Sequence, residues 1–354
     1  MRIGSWIARL TATTAIAALA GCGGAGAGGT SAKRPVHATP RRSQSATLVL
    51  DFTPNAVHAG VYSALAHRYD VAEGVRLHVI APSASTDAIK LLETGRADFA
   101  ILDIHDLAIA RERREDVVGI MAIVERPLAA VLAAPQIASP RELGSRGNTV
   151  GITGVPSDTA VLRSIVAGAG GTPRGLKTVT IGFNAAQALL AHRVAGATAF
   201  WSDEGVSLRR ARPGFHVFRV DDYGAPSYPE LVVCASRAAL ERDPQRARAA
   251  VRALVRGYAV TLSDPARSAA DLERQVPGHD HALDAAELHA LSGALRIPGE
   301  RFGELDVTRL RAWSAWESRM GIVARPPDVA QTFDPRFLAS VTRRRLRPAA
   351  EANR

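Results

Sequence analysis

Short apolar runs alternate along this chain with longer stretches whose apolar positions fall on one helical face. That alternation predicts strands joined by crossover helices, an α/β architecture. Thr47–Leu50 and Leu77–Ile80 read as strands, and between them Val57, Val61, Ala64 and Leu65 keep one helical face apolar. In "SASTDAIKLLETGRADFAIL" Thr86 is placed to cap a helix, Ile89 and Leu92 face inward, Gly95 stops it, and Phe99–Leu102 forms a buried strand. Two more strand-like runs, 120–124 and 128–134, carry the chain toward a second lobe. There Thr149–Ile152 enters a Gly/Pro turn and Ser157 opens a helix, and Val179–Phe183, Ala185–Arg193 and Ala197–Trp201 follow as strand, helix and strand. "SYPELVVCAS", 227–236, reads as a strand returning to the first lobe. Helices are expected at Gln245–Leu262, Ser268–Gln275, Ala285–Leu295 and Val307–Met320. One lobe is therefore expected from 46–134 and 228–342, with the other, 135–227, inserted within it. A body of this length can bury two moderate cores.

The ends read differently. Arg2 and Arg9 precede "LTATTAIAALAG", an apolar segment too short for a stable bilayer span, which ends in "LAGC". Small residues before Cys22 have the look of a bacterial lipobox, with 1–22 as signal and Cys22 lipidated; an ordinary secretory signal is the plainer alternative. Residues 23–45, rich in Gly, Ser and Pro, read as a flexible tether, and 343–354 as a basic tail. The formal net charge is +10, and all of it resides in these ends, leaving 43–342 neutral. A neutral body argues against nucleic acid as a partner. The basic ends suit either anionic lipid headgroups or simple solvation. Beyond Cys22 only Cys234 carries a thiol, so neither an intrachain disulfide nor a cysteine metal site is expected.

Four clusters can carry chemistry, each at the carboxyl end of an expected strand, where ligands of parallel sheets sit. In "LVLDFTPNAVHAG" Thr53 and Pro54 suit a helix start, whereas Phe52, Asn55 and His58, with Tyr62 one turn on, offer a flat face and mixed donors and acceptors. In "DFAILDIHD" Asp103 and Asp106 are either caps or pocket wall beside His105; no metal is expected, since no other His or Cys cluster lies nearby. In "TGVPSD" the exposed N–H groups before the helix favour an acceptor, although Ser157 and Asp158 can simply cap; the nucleotide P-loop pattern is absent. In "AFWSDEGVS" Trp201 can stack on a ring and Glu204 can accept from an amino group, with Asp203 as a competing cap. Tyr223 and Tyr228 lie near the proposed lobe crossing. No nucleophile elbow or glycosidase-type carboxylate pair is present.

Together "LDFTPNAVHAGVYSAL", "LLETGRADFAI", "VGITGVPSDTAV", "FWSDEGV" and "YPELVVCAS" resemble the periplasmic solute-binding proteins of ABC importers. The branch they are most similar to binds pyrimidine precursors for thiamine salvage and shares its fold with the fungal thiamine-pyrimidine synthase. The resemblance covers about 46 to 340. It implies a two-lobed type II periplasmic-binding-protein fold with a cleft between the lobes, a planar aminopyrimidine-like ligand, no cofactor, a membrane permease with its ATPase as partner, and a monomer. Carried over by motif, Phe52, Pro54, Asn55 and His58 match the first-lobe wall, Pro156, Ser157 and Asp158 the second-lobe turn, and Trp201 and Glu204 the aromatic–acid pair. The expected ligand-binding set adds Asp103, His105 and Tyr228. The family often has Trp where this chain has Phe52, and "ILDIHDL" departs from the pyrimidine binders, so a larger ring such as riboflavin stays open. The synthase activity is not expected: Leu102 stands where its pyridoxal-phosphate lysine would be, and its cysteine-rich iron motif is missing. A sensor or adhesion lipoprotein is the third alternative.

Overall fold

The computed structural model describes residues 43–82, 87–339 and 341. The signal, Cys22, Thr86, the basic tail and all but the end of the tether lie outside them. Among the described residues, no helix is long and apolar enough to cross a membrane.

Two five-stranded sheets form the body. The first has the order β2-β1-β3-β10-β4, from β1 (Gln44–Val49), β2 (Val75–Ile80), β3 (Phe99–Asp103), β4 (Val117–Val124) and β10 (Leu231–Ser236). The second has the order β7-β6-β8-β5-β9, from β5 (Ala129–Ala133), β6 (Val150–Ile152), β7 (Thr178–Thr180), β8 (Gly196–Phe200) and β9 (His216–Arg219). Each sheet has four strands running the same way plus one antiparallel strand that has crossed from the other half of the chain: β10 between β3 and β4, and β5 between β8 and β9. Every residue of β4 and β5 is buried, because helices cover both faces, and this explains their unbroken apolar runs.

Several expected boundaries move. β1 begins at Gln44, so the tether ends before 45. β5 pairs entirely within the second sheet, so the first lobe stops before 129 rather than at 134, and the crossing lies in 125–128. The run expected as strand 179–183 ends at Thr180, because Gly182 (φ +58°) turns the chain there, with Asn184 Nδ2 donating to the Ile181 carbonyl at 3.0 Å. β9 escapes a reading based on alternation, being four residues long at the sheet edge.

Helices after β10 return to the first sheet. Pro244–Ser263 and Pro265–Gln275 each start with an Asp cap followed by Pro, as the missing proline N–H allows. The first of these packs on Ala59–Ala66 at very short range: a Cβ placed on Gly257 would lie 2.0 Å from the Gly60 carbonyl oxygen. Tyr258 then donates its hydroxyl to the Val57 carbonyl (2.8 Å), tying the C-terminal half to the first βα turn.

Candidate functional site

β1 and β3 of the first sheet, and β6 and β8 of the second, all end at one interlobe cavity of about 90 Å³. Its apolar wall includes Phe52, Ile101, Leu102, Val155, Phe183 and Phe200. Its polar wall is carboxylic: Asp51, Asp103, Asp106, Asp158 and Glu204, with Thr153, Ser157 and Thr198. No Lys, Arg or His lines it among the described residues. A second chamber of about 310 Å³ adjoins it and shares Phe52, Phe183 and Glu204; Pro54, Asn55, Asp203 and Glu287 border this outer space.

The turn after β1 is built by its own side chains. Asn55 is the N-cap of the single turn Ala56–His58: its Oδ1 accepts from Val57 N (2.9 Å), while the Asn55 N–H donates to His58 Nδ1 (3.2 Å). This capping box replaces the cap expected from Thr53 and Pro54, and it accounts for His58, which is fully buried with Nε2 on Asp51 Oδ1 at 2.8 Å. The cap also leaves Asn55 Nδ2 free to reach across the cleft to Asp203 Oδ2 at 2.6 Å. On the far side of the cavity the Ser157 N–H, at the start of helix Asp158–Gly168, donates to Asp106 Oδ1 of the first lobe (3.2 Å). Both hydrogen bonds span the cleft beside the cavity.

The acids differ in how the protein uses them. Asp158 is saturated: Thr153, Thr198, Gly154 N and Val155 N all donate to it, so it folds the TGVPSD turn, and its carboxyl is raised by burial against those hydrogen bonds. Asp103 caps helix Ile104–Glu112 through His105 N (2.7 Å), and burial pushes it up to about 8. Glu204 accepts from Phe200 N on Oε2 (3.0 Å), and burial, reinforced by Asp203, pushes it to about 8. A carboxyl so raised supplies a donor and an acceptor side by side.

Residues 55–268, which include most of this wall, match the family model described as NMT1/THI5 like. The chain belongs to the NMT1/THI5-like family. It is 30% identical over 225 residues to the formylaminopyrimidine-binding protein of Halalkalibacterium halodurans, covering 63% of this chain and 68% of that one. It is 27% identical over 314 residues to the riboflavin-binding protein RibY of Chloroflexus aurantiacus, covering 83% and 86%. Among solved structures it resembles the alkanesulfonate-binding protein SsuA of Xanthomonas axonopodis pv. citri bound to MOPS, with a TM-score of 0.65, 15% identity, and coverage of 83% and 99%. That likeness establishes the two-lobed type II periplasmic-binding-protein fold.

Within this NMT1/THI5-like frame, Phe52, Asp103, Ser157, Asp158 and Glu204 converge on the inner cavity, and Pro54 and Asn55 on the outer chamber. Pro156 lies off both walls. Trp201, expected as a stacking face, is a hinge residue instead. Its Nε1 donates to the Pro127 carbonyl (2.9 Å), and the Arg219 guanidinium sits 4.3 Å over its ring. His105 and Tyr228 are likewise withdrawn, both fully buried with Nε2 and hydroxyl 2.9 Å apart and His105 Nδ1 on Glu317. Burial alone would lower the His105 imidazole, but Glu317 and Asp103 override it and lift it to about 10. Glu230 completes this buried set by accepting from Leu128 N and Ala129 N, stapling one hinge crossing to the other. Asp103, His105 and Glu230 are near enough to hold a metal ion. The imidazole nitrogens are already engaged by Glu317 and Tyr228, however. Phe183 and Glu287 were not anticipated: Phe183 reads as strand, and Glu287 lies on a distant helix with no local motif.

Proposed function

We propose that this chain is the solute-binding component of an ABC importer, capturing a small planar heteroaromatic nutrient, a thiamine-related aminopyrimidine, and handing it unchanged to a permease with its ATPase. It acts as a monomer on the outer face of the membrane, held by lipid on Cys22. The observation that carries this reading is the polar wall of the inner cavity, whose charged groups are all carboxylic, with Thr153, Ser157 and Thr198 beside them. A carboxyl raised by burial, such as Glu204, can donate O–H to a ring nitrogen and accept from the adjacent amino group, two neutral hydrogen bonds worth about 0.5–1.5 kcal/mol each. Aromatic side chains on the same cavity, Phe52, Phe183 and Phe200, cover a flat ring.

The same wall disfavours an anion of the sulfonate kind. The N–H at the start of helix Asp158–Gly168, where an anion would be received, is taken by Asp106 of the opposite lobe. The formylaminopyrimidine-binding relative points the same way.

Thermal-shift screening of the purified chain against aminopyrimidines, thiamine, riboflavin and an alkanesulfonate tests the reading. A stabilising ligand at 100 times its Kd adds about 2.7 kcal/mol. The expected hits are aminopyrimidines; stabilisation by the sulfonate alone would overturn the assignment.

A further inference from the structure

Phe52 and Phe183 come from opposite lobes and meet in the cleft with ring centroids 4.2 Å apart and planes at 59°. Both border the inner cavity and the outer chamber, so their rings stand as the wall between the two spaces. Neither ring is there by accident of core packing. Phe52 sits in the irregular segment just after β1, and Phe183 is aimed into the cleft by the left-handed turn at Gly182 that ends β7 early. Because one ring belongs to each lobe, the partition exists only when the cleft is shut.

We propose that the Phe52–Phe183 pair is a size-selecting partition that restricts the inner cavity to ligands of one aromatic ring and holds them there; this rests on the solute-binding reading above. With the partition in place a fused tricyclic ring cannot lie across both chambers, since its plane would have to pass through the paired phenyls. A single ring is enclosed on the inner side, and only a narrow substituent passes beside the paired phenyls, along Glu204, to the outer chamber. Shortening Phe183 merges a space of about 90 Å³ with one of about 310 Å³, and the selectivity moves toward larger heterocycles.

The test measures Kd and dissociation rate of 4-amino-2-methylpyrimidine and of riboflavin on the full chain, for wild type, Phe183→Ala and Phe183→Leu. Wild type is expected to prefer the pyrimidine by at least tenfold. In Phe183→Ala the pyrimidine should dissociate at least tenfold faster and riboflavin should bind at least tenfold tighter, with Phe183→Leu between the two. A pyrimidine-to-riboflavin ratio that stays the same in both folded variants overturns the partition and leaves the solute-binding reading standing. A wild type that takes riboflavin as tightly as the pyrimidine also overturns it. Riboflavin that binds Phe183→Ala no better than wild type overturns the partition alone, whereas failure of both probes to bind wild type and variants alike overturns the functional reading, and the partition with it.

Discussion

Glu204 shows most directly how a single side chain is tuned for recognition here. Its Oε2 is fixed by Phe200 N while the residue borders both chambers, and burial lifts it from an ordinary 4.5 to about 8. Glu204→Ala is expected to weaken aminopyrimidine binding about 10- to 100-fold by calorimetry, the range of two neutral hydrogen bonds lost together. Because the raised value means the closed cleft favours the protonated acid, its contribution is fully present below about 4.5 and is lost as pH rises to about 8. The Tm of ligand-free wild type should therefore fall across that window more than that of Glu204→Gln, which cannot ionise; parallel curves would remove Glu204 as the titrating group. Residue types at strand ends made this acid legible in the sequence. Asn55 was legible as well, but its reason was not: the Asn55–His58 capping box needs only local spacing, whereas the reach to Asp203 spans a sequence separation no pattern encodes.

At the scale of elements, the alternation of apolar runs placed nine of the ten strands, because buried strands leave a local mark. Which sheet each strand joins is a long-range matter, and β5 belongs to the second sheet because it pairs with β8 and β9. The aromatic side chains followed the same division. Trp201 ends a strand as a binding residue would, yet its indole is committed to the hinge through Pro127 and Arg219. Replacing a buried Trp with Ala typically costs about 3–5 kcal/mol. Trp201→Ala should lose stability of that order in urea titration, with a smaller effect on ligand affinity than Glu204→Ala. Unchanged stability with abolished binding would return Trp201 to the ligand wall.

The whole molecule closes through groups that also titrate. Asn55 meets Asp203 across the cleft, and Asp203 shares a hydrogen bond with Glu287 on the helix His281–Leu291, which comes from the C-terminal part of the first lobe. Burial pushes Asp203 to about 6 and Glu287, with Asp203 adding to the push, to about 9. His58 draws Asp203 down and Asp51 raises it, while Asp284, itself paired with His279, adds to the push on Glu287. Two carboxyls in such contact hold a proton between them, whereas in a parted cleft water would solvate each and return it to the ordinary range. Closure therefore takes up a proton. Its contribution is complete below about 4.5, the ordinary value of Glu287, and disappears as pH climbs through about 9. Ligand-free protein should thus expand between pH 6 and 9.5 in small-angle scattering, its radius of gyration rising as the lobes part. In Glu287→Gln, which keeps a donor facing Asp203 without a titrating proton, the rise should flatten. An identical pH response in that variant would assign the closing proton to another pair, and a radius that never changes would mean that the cross-cleft hydrogen bonds hold without it.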